Sequence, residues 1–136
     1  MKRFIAIVLA ALCMTEISRT FANTNSVDAF QACMDRTKFD RINCEAECGM
    51  IIQQCYDDGI SDINDKAKKV EDSIKQKDGD TCASFADDYL KSALHMEADL
   101  QEKISSLPGW SGSEFALNLA RQRLDNVRLL LGSCEQ

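Results

Sequence analysis

Apolar residues recur every three or four positions along most of this chain of 136 residues, and no stretch alternates for long between apolar and polar residues. A spacing of three and four places side chains on one face of an α-helix, whereas a strand has a spacing of two. Turn residues interrupt the pattern near positions 57–59, 78–80 and 108–113. The pattern therefore predicts an all-α protein. We expect a small bundle of five helices, at about 27–38, 43–57, 61–77, 81–106 and 113–132.

Helix-capping residues stand near the predicted helix starts. Asp28, followed three positions later by Gln31, is typical of a capping box ahead of the first helix. Short polar side chains precede the other four helices: Asn43, Ser61, Thr81 and Ser113. The run Asp57-Asp58-Gly59 is then expected to form the turn between the second and third helices.

The beginning of the chain has the pattern of a secretory signal peptide. A short basic start is followed by an apolar run at 4–14, and Thr20 and Ala22 are small residues at positions −3 and −1 of a cleavage site. The apolar run is too short to span a bilayer. We therefore expect a signal peptide over residues 1–22 and one helical domain over residues 23–136, which is periplasmic or secreted and not inserted in the membrane.

Cleavage would leave an acidic domain. The whole chain has 16 Lys and Arg residues against 22 Asp and Glu residues, and the predicted signal peptide takes away three basic residues and one acidic residue. The remaining 13 basic and 21 acidic residues give a net charge of −8. Such a domain repels the phosphates of nucleic acid and attracts basic proteins. We expect a basic protein partner and no binding of nucleic acid.

Six cysteines remain after cleavage: Cys33, Cys44, Cys48, Cys55, Cys82 and Cys134. An even number of cysteines in an exported chain predicts three disulfides. Zinc sites usually need two close cysteine pairs or several histidines, and His95 is the only histidine of the sequence. No Cys-x-x-Cys motif is present either. We therefore expect no metal site and no thioredoxin-like redox motif.

The predicted second helix limits how these cysteines pair. In a continuous helix over 43–57, Cys55 lies ~16 Å from Cys44 and ~10 Å from Cys48. A disulfide spans Cα separations up to about 7 Å, so both pairs are excluded. A bond between Cys44 and Cys48, one helical turn apart, would be strained. We therefore expect Cys44, Cys48 and Cys55 each to bond to a cysteine outside that helix.

Six connectivities satisfy this condition. An up-down-up path of the second, third and fourth helices favours Cys44–Cys82. The other four cysteines then pair in one of two ways. We favour Cys33–Cys48 with Cys55–Cys134 and leave open Cys33–Cys55 with Cys48–Cys134.

Nothing in the sequence has the pattern of an active site or of a cofactor site. His95 has no nucleophile motif near it, and adjacent acids such as Asp57-Asp58 point away from each other on a helix. No glycine-rich phosphate loop is present. We therefore predict no catalytic residues, no cofactor and a protein that is not an enzyme.

Two features suggest partner binding instead. Trp110, the only tryptophan, stands in the Gly- and Ser-rich connection 108–113, where an exposed aromatic is typical of an interface anchor. The alternative is that Trp110 folds back and caps the bundle. The acidic segment that contains Asp57, Asp58 and Asp62 is a second candidate surface for a basic partner.

Parts of the chain resemble the LprI-type lysozyme-inhibitor family. The opening Cys33-Met34-Asp35-Arg36-Thr37-Lys38, followed by Asn43-Cys44, is similar to the Cys, Thr and Asn-Cys with which that family begins. Asp62-Ile63-Asn64 resembles its next short motif. The segment 119–134, with Gln122, Arg128 and Cys134, resembles its closing helix of Gln, Trp, Arg and a final Cys. The chain departs from the family in lacking that Trp, where Leu124 or Asp125 stands, in a longer gap from Arg to Cys, and in the additional Cys48 and Cys55.

The resemblance implies a small exported helical domain that binds and inhibits lysozyme-like cell-wall hydrolases, and it carries over no catalytic residue. Together with the acidity, it leads us to expect an inhibitor of such a hydrolase or an immunity protein against an antibacterial effector. The alternative is a non-catalytic structural, assembly or chaperone factor of the cell envelope.

Overall fold

A computed structural model describes residues 28–77 and 79–134 of the protein, and these ranges form α-helices without any β-strand. The all-α disulfide-linked bundle is thereby confirmed. The predicted signal peptide over 1–22 and the start of the predicted domain at 23–27 lie outside the described residues. The helices of the described part are α1 Ala29–Arg36, α2 Lys38–Ile42, α3 Cys48–Lys77, α4 Gly79–Ser105 and α5 Ser111–Cys134.

The long helix α3 replaces two predicted helices. It runs for 30 residues and passes without a break through Asp57-Asp58-Gly59, so the prediction of a turn there is wrong. Gly59 is buried, and a β-carbon on it would lie 2.8 Å from Cβ of Phe30 and 3.2 Å from Cδ1 of Leu117. The glycine therefore lets α1 and α5 approach the backbone of α3 and does not turn the chain.

The other helices differ less from the prediction. The predicted first helix ends early, at Arg36, and is followed by the short α2, which the pattern did not indicate. Helices α4 and α5 begin and end within a few residues of their predicted limits.

The core lies where α3, α4 and α5 meet, with α1 packed against α3. Its side chains recur at the three and four spacing seen in the sequence, which is why the apolar pattern located them. The main members are Ile63, Ala67 and Ile74 of α3, Ala86 and Leu90 of α4, and Leu117, Ala120, Leu124 and Val127 of α5.

A buried charge, which the sequence pattern did not reveal, joins the three long helices. Arg123 is only 4% exposed. Its guanidinium donates to Oε1 of Glu97 on α4 at 2.8 Å and to Oδ1 of Asn64 on α3 at 2.8 Å. Arg123 lies between Ala120 and Val127 on the apolar face of α5. A charged residue on an apolar face is the one feature of the sequence that could have indicated a buried charge here. Removing Glu97 would leave an uncompensated buried charge, so these contacts favour the arrangement in which α3, α4 and α5 bring the three side chains together.

All six predicted cysteines are bonded, but the favoured pairing is wrong, and of the alternative that we left open only Cys33–Cys55 is formed. The disulfides are Cys33–Cys55, Cys44–Cys48 and Cys82–Cys134, with Cα separations of 5.3, 5.6 and 6.2 Å. The excluded pairs Cys44–Cys55 and Cys48–Cys55 are indeed not formed.

The start of α3 explains the bond that we expected to be strained. Cys44 precedes the helix, which begins only at Cys48. Residues 43–47 bend back on themselves, with Glu47 at a φ of +58°, so the helical spacing that the strain argument assumed does not exist.

The length of α3 excludes the favoured pair Cys44–Cys82. The 30 residues of α3 extend for about 45 Å, and α4 starts at the far end. Cys82 therefore lies at the end of the bundle opposite Cys44, where Cys134 ends α5. Cys33, on α1, is left to bond to Cys55, so Cys33–Cys48 and Cys55–Cys134 are not formed.

We predict that Gly59→Ala lowers the free energy of unfolding by about 1–3 kcal/mol, because the new methyl group overlaps the Cβ of Phe30, which cannot move without the helix. Alanine normally stabilises a helix relative to glycine. Gly132→Ala is the matched control, since no atom lies within 4 Å of its would-be β-carbon, and it should leave stability unchanged or raise it by up to about 1 kcal/mol. Urea unfolding of the two variants measures both effects. A Gly59→Ala variant as stable as Gly132→Ala would contradict the close approach.

Candidate functional site

Trp110 lies where the chain passes from α4 to α5. The chain leaves α4 at Ser105 and turns at Gly109, whose φ of +59° is in the left-handed region that glycine adopts without a steric penalty. The carbonyl of Trp110 accepts the N–H of Glu114 at 2.9 Å, which ties the residue to the first turn of α5. The indole is therefore held at a fixed position beside the helix.

The indole of Trp110 is partly packed and partly open. One face stacks on Tyr56 of α3, with ring centroids 6.0 Å apart and an interplanar angle of 21°. A β-carbon on Gly49 would lie 3.6 Å from Cζ2 and Cη2 of the indole, so the ring also covers the first turn of α3. Trp110 nevertheless remains 37% exposed. The two alternatives for this residue are thus combined, because it caps the bundle and still presents part of its ring to solvent.

A pocket of about 350 Å³ adjoins the open part of the indole. It lies between α3, α4, α5 and the turn that joins α4 to α5. We call it the Trp110 pocket, and its principal lining residues are Asp57, Ile60, Gln101, Leu107, Trp110 and Ser113. Its walls are about equally polar and apolar, with Trp110, Ile60 and Leu107 on the apolar side and amide, hydroxyl and carboxylate groups on the polar side.

Hydrogen bonds place the carboxylate of Asp57 at this pocket. The hydroxyl of Ser113 donates to Oε1 of Gln53 at 3.1 Å, and Nε2 of Gln53 donates to Oδ1 of Asp57 at 2.9 Å. Among the described residues, no Lys, Arg or His forms an ion pair with Asp57. An aromatic ring beside a carboxylate that has no cation suits the side chain of a Lys or Arg from another molecule.

The other two acidic candidates, Asp58 and Asp62, lie on a different flank of α3. Successive helical residues are separated by about 100° around the axis, so Asp58 turns away from Asp57 and shares a face with Asp62. Both line a second pocket, of about 370 Å³, between α1 and α3. The structure therefore brings Trp110 together with Asp57 but not with Asp58 or Asp62.

The second pocket differs from the Trp110 pocket in its lining. Its carboxylates are those of Asp58, Asp62 and Asp65, and the guanidinium of Arg36 lines it as well. Asp62 is paired with Lys66 at 2.5 Å, and Asp58 accepts a hydrogen bond from Gln54 at 2.7 Å. No aromatic side chain is among the described residues that line it, so it lacks the ring that could cover a bound Lys or Arg side chain.

A row of stacked groups supports Trp110 from behind. Tyr56 packs on Phe30 of α1 with ring centroids 4.7 Å apart, and the guanidinium of Arg121 lies 6.0 Å from the centroid of Phe30. Burial raises the pKa of the Tyr56 phenol, the charge of Glu114 raises it further, and Arg121 acts in the opposite direction. Tyr56 therefore stays neutral at ordinary pH, as its position beneath the indole requires.

Asp28 ends this row and also caps α1. Its carboxylate accepts the N–H of Phe30 at 2.8 Å and that of Gln31 at 3.3 Å, and it forms an ion pair with Arg121 of α5. Burial acts to raise the pKa of Asp28, but the hydrogen bond and the charge of Arg121, helped by the two N–H groups, outweigh it and lower the pKa below its usual value. Asp28 is thus the N-cap of α1 and makes an additional long-range contact. The predicted capping box is not completed, because the side chain of Gln31 donates to Asp35 at 2.9 Å.

Other candidate chemistry is sparse in the described ranges. His95 is exposed, with Nδ1 3.5 Å from a carboxylate oxygen of Asp99. No group of three or more His, Cys, Asp and Glu side chains in the described ranges is arranged to hold a metal ion. None of the described helices is long and apolar enough to cross a membrane.

Comparison with protein-family models, curated proteins and solved structures finds no match to this chain. The candidate site at the Trp110 pocket is therefore described from its own geometry alone. Sequence reasoning missed Gln53, Tyr56 and Ser113. Gln53 stands four positions before Asp57, a spacing that predicts a contact on a helix, whereas the bond from Ser113 joins residues 60 apart and had no local signal.

We predict that Asp28→Asn removes an acid-dependent part of the stability and keeps the helix cap, because Asn is as good an N-cap as Asp. A carboxyl whose pKa is lowered by folding stabilises the protein above its unfolded pKa, about 3.9 for Asp, and this contribution is lost as the pH falls through the lower folded value. The wild type should thus be the more stable protein at pH 6, and the difference should shrink from about pH 4 downwards. Urea unfolding from pH 6 to pH 2 measures it. A difference that stays constant over this range would contradict the role of the Arg121 pair.

Proposed function

We propose that this protein is an exported, non-catalytic binding protein that inhibits a basic cell-wall hydrolase of the lysozyme type. The observation that carries the proposal is the Trp110 pocket, in which an aromatic wall adjoins the carboxylate of Asp57 and no described cation neutralises that carboxylate. An immunity protein would use the same surface against an effector that attacks the cell wall.

A lysine or arginine of the partner would occupy the Trp110 pocket. Its aliphatic part would lie along Ile60 and Leu107, and its charge would lie between the ring of Trp110 and the carboxylate of Asp57. The pocket is too small for more than a side chain, so inhibition would come from the bulk of the bundle blocking the partner's cleft.

Two properties of the whole domain support such binding. The net charge of −8 expected for the mature chain would steer a basic enzyme towards it, an effect screened over about 8 Å at physiological salt. The three disulfides hold the bundle in one shape, which lowers the ordering cost of association.

The resemblance to LprI-type inhibitors agrees with this function, but the pocket supports it independently. The segments that carry the resemblance lie in α1 and α2 with the irregular residues that follow, in α3 at Asp62-Ile63-Asn64, and in the later part of α5. Cys33 and Cys44 bond to Cys55 and Cys48, two cysteines that the family's pattern lacks. The proposal therefore depends on Trp110 and Asp57.

A second candidate, an assembly or chaperone factor of the envelope, is favoured by apolar side chains at the α1–α2 end of the bundle. Phe39 and Ile42 of α2 are 75% and 70% exposed, and Met50 of α3 is 65% exposed. Exposed apolar patches are typical of surfaces that bind other proteins. Such a factor would bind unfolded or apolar partners of either charge, whereas an inhibitor would select a folded basic hydrolase.

The proposal is tested with the oxidised protein and a panel of basic cell-wall hydrolases that includes lysozyme, by measuring lysis of a cell-wall suspension and the dissociation constant. We expect the wild type to inhibit at least one of them. Trp110→Ala and Asp57→Asn should each weaken binding to it at least tenfold, which is about 1.4 kcal/mol or more. Asp58→Asn changes the charge equally, one position away on the other flank, and should weaken binding by less than threefold.

Measuring the free energy of unfolding of each variant shows whether weaker binding reflects a lost contact or a lost fold. Trp110→Ala should lower the free energy of unfolding by about 1–2 kcal/mol, since it loses one aromatic stack and part of its buried area, and it should remain folded during the assay. Wild-type protein that inhibits no hydrolase of the panel would overturn the function. If Asp57→Asn and Asp58→Asn weaken inhibition equally, the Trp110 pocket is not the binding site.

A further inference from the structure

The Cys44–Cys48 disulfide differs from the other two in the backbone that carries it. Cys33 and Cys55 are 2% and 0% exposed and belong to helices, and Cys82 and Cys134 also belong to helices. Cys44, in contrast, lies in the irregular segment 43–47. Cys44 and Cys48 are half-buried, as are Cys82 and Cys134, so the backbone is what distinguishes the first pair from the second. Thiols in solution therefore reach this disulfide more readily than Cys33–Cys55.

The backbone within the ring closed by this disulfide is strained. Glu47 has a φ of +58°, the only left-handed conformation of a non-glycine residue in the described ranges. A residue with a β-carbon adopts this conformation only where its surroundings impose it. Glu47 is constrained from two sides, by the five-residue ring that the disulfide closes and by its carbonyl, which accepts the N–H of Met50 at 2.9 Å at the start of α3. Breaking the disulfide would remove the first of these constraints. The freed Cys44 would then move away, because no helix holds it beside Cys48.

We propose that Cys44–Cys48 is a thiol-exchange site, which a low-molecular-weight thiol such as glutathione opens in the folded protein while the other two disulfides stay closed. The proposal follows from the position of the two sulfurs and from the strained ring, and it does not depend on the proposed function.

The exchange proceeds in two steps. A glutathione thiolate attacks Sγ of Cys44, the bond between the two sulfurs breaks, and Cys48 leaves as a thiolate. A second glutathione thiolate then attacks the glutathione sulfur bound to Cys44, which forms oxidised glutathione and releases the thiolate of Cys44. Two glutathione molecules thereby lose two electrons, and their two protons pass to Cys44 and Cys48.

The start of α3 selects Cys48 as the first leaving group. Cys48 is the first residue of the helix, where free N–H groups and the positive end of the helix dipole stabilise a thiolate. The thiol with the lower pKa leaves faster. The carboxylates of Glu45 and Glu47 lie within the same ring, and their charge repels a thiolate on either sulfur.

Thiol exchange at Cys44–Cys48 would also change the packing of Trp110. Gly49 follows Cys48 directly and packs against the indole of Trp110. When the ring opens, the first turn of α3 loses its tie to residues 43–47, and the contact between Gly49 and the indole loosens. Because Trp110 is the only tryptophan of the sequence, its fluorescence reports this change without a label.

The test equilibrates the folded, oxidised protein with graded ratios of reduced to oxidised glutathione, alkylates free thiols and maps the labelled peptides by mass spectrometry. We expect Cys44 and Cys48 to be alkylated at ratios at least tenfold lower than those required for the other four cysteines. A glutathione adduct on Cys44 should appear at intermediate ratios, and the far-UV circular dichroism should stay nearly constant. Opening of Cys82–Cys134 at the same or a lower ratio would overturn the proposal, as would a Cys44–Cys48 bond that stays closed until the protein unfolds.

The fluorescence of Trp110 tests the coupling in the same samples. It should shift at the ratio that opens Cys44–Cys48, and the double variant Cys44→Ser, Cys48→Ser should show the shifted spectrum at all ratios. A double variant whose spectrum still responds to glutathione in that range would overturn the coupling. If the double variant does not fold, alkylation of the wild type still decides the proposal. The result is also independent of whether any hydrolase is inhibited.

Discussion

The close approach of Phe30 and Leu117 to the backbone of Gly59 is the contact on which the rest of the structure depends. It occurs in the middle of α3, at a position where any β-carbon would overlap its neighbours. Because α1 and α5 pack on this point, the helix is covered on both sides where the sequence alone suggested a turn. An unbroken α3 places Cys48 at one end of the bundle and the start of α4 at the other. The disulfide pairing and the division of the acidic residues both follow from it.

The apolar periodicity was sufficient to predict the class of fold and most of the core. Ile63, Ala67 and Ile74 recur at the three and four spacing and share the core face of α3, and the core side of α5 has the same spacing. It was not sufficient to tell a glycine at a helix crossing from a glycine in a turn, because Asp57-Asp58-Gly59 has the composition of both. That ambiguity also caused the wrong prediction of Cys44–Cys82, which assumed a turn between the second and third helices. The rejection of Cys44–Cys48 had another cause, because it assumed a helix that starts at residue 43, whereas α3 starts at Cys48.

The residues of the candidate site were also predicted from the sequence only in part. Trp110 was identified as a binding residue from its rarity and its position in a connection, but its stacking on Tyr56 depends on a contact between α3 and the turn before α5. Asp57, Asp58 and Asp62 were grouped because they are close in sequence. On a continuous helix, neighbouring residues point in different directions. Asp57 therefore lines the Trp110 pocket, whereas Asp58 and Asp62 line the pocket between α1 and α3. The pairing of one ring with one carboxylate is a property of the tertiary structure, and no local pattern contains it.

The continuity of α3 is tested most directly by a distance between its two halves. Spin labels attached through non-cysteine chemistry at the exposed positions Gln54 and Gln76 leave the disulfides intact, and pulsed electron paramagnetic resonance measures their separation. A continuous helix places the two backbones about 33 Å apart, since 22 residues rise by ~1.5 Å each. We expect a single narrow distribution near that value. A hairpin at 57–59 would bring the two backbones to about 22 Å, roughly 10 Å closer, and such a distance would contradict the account.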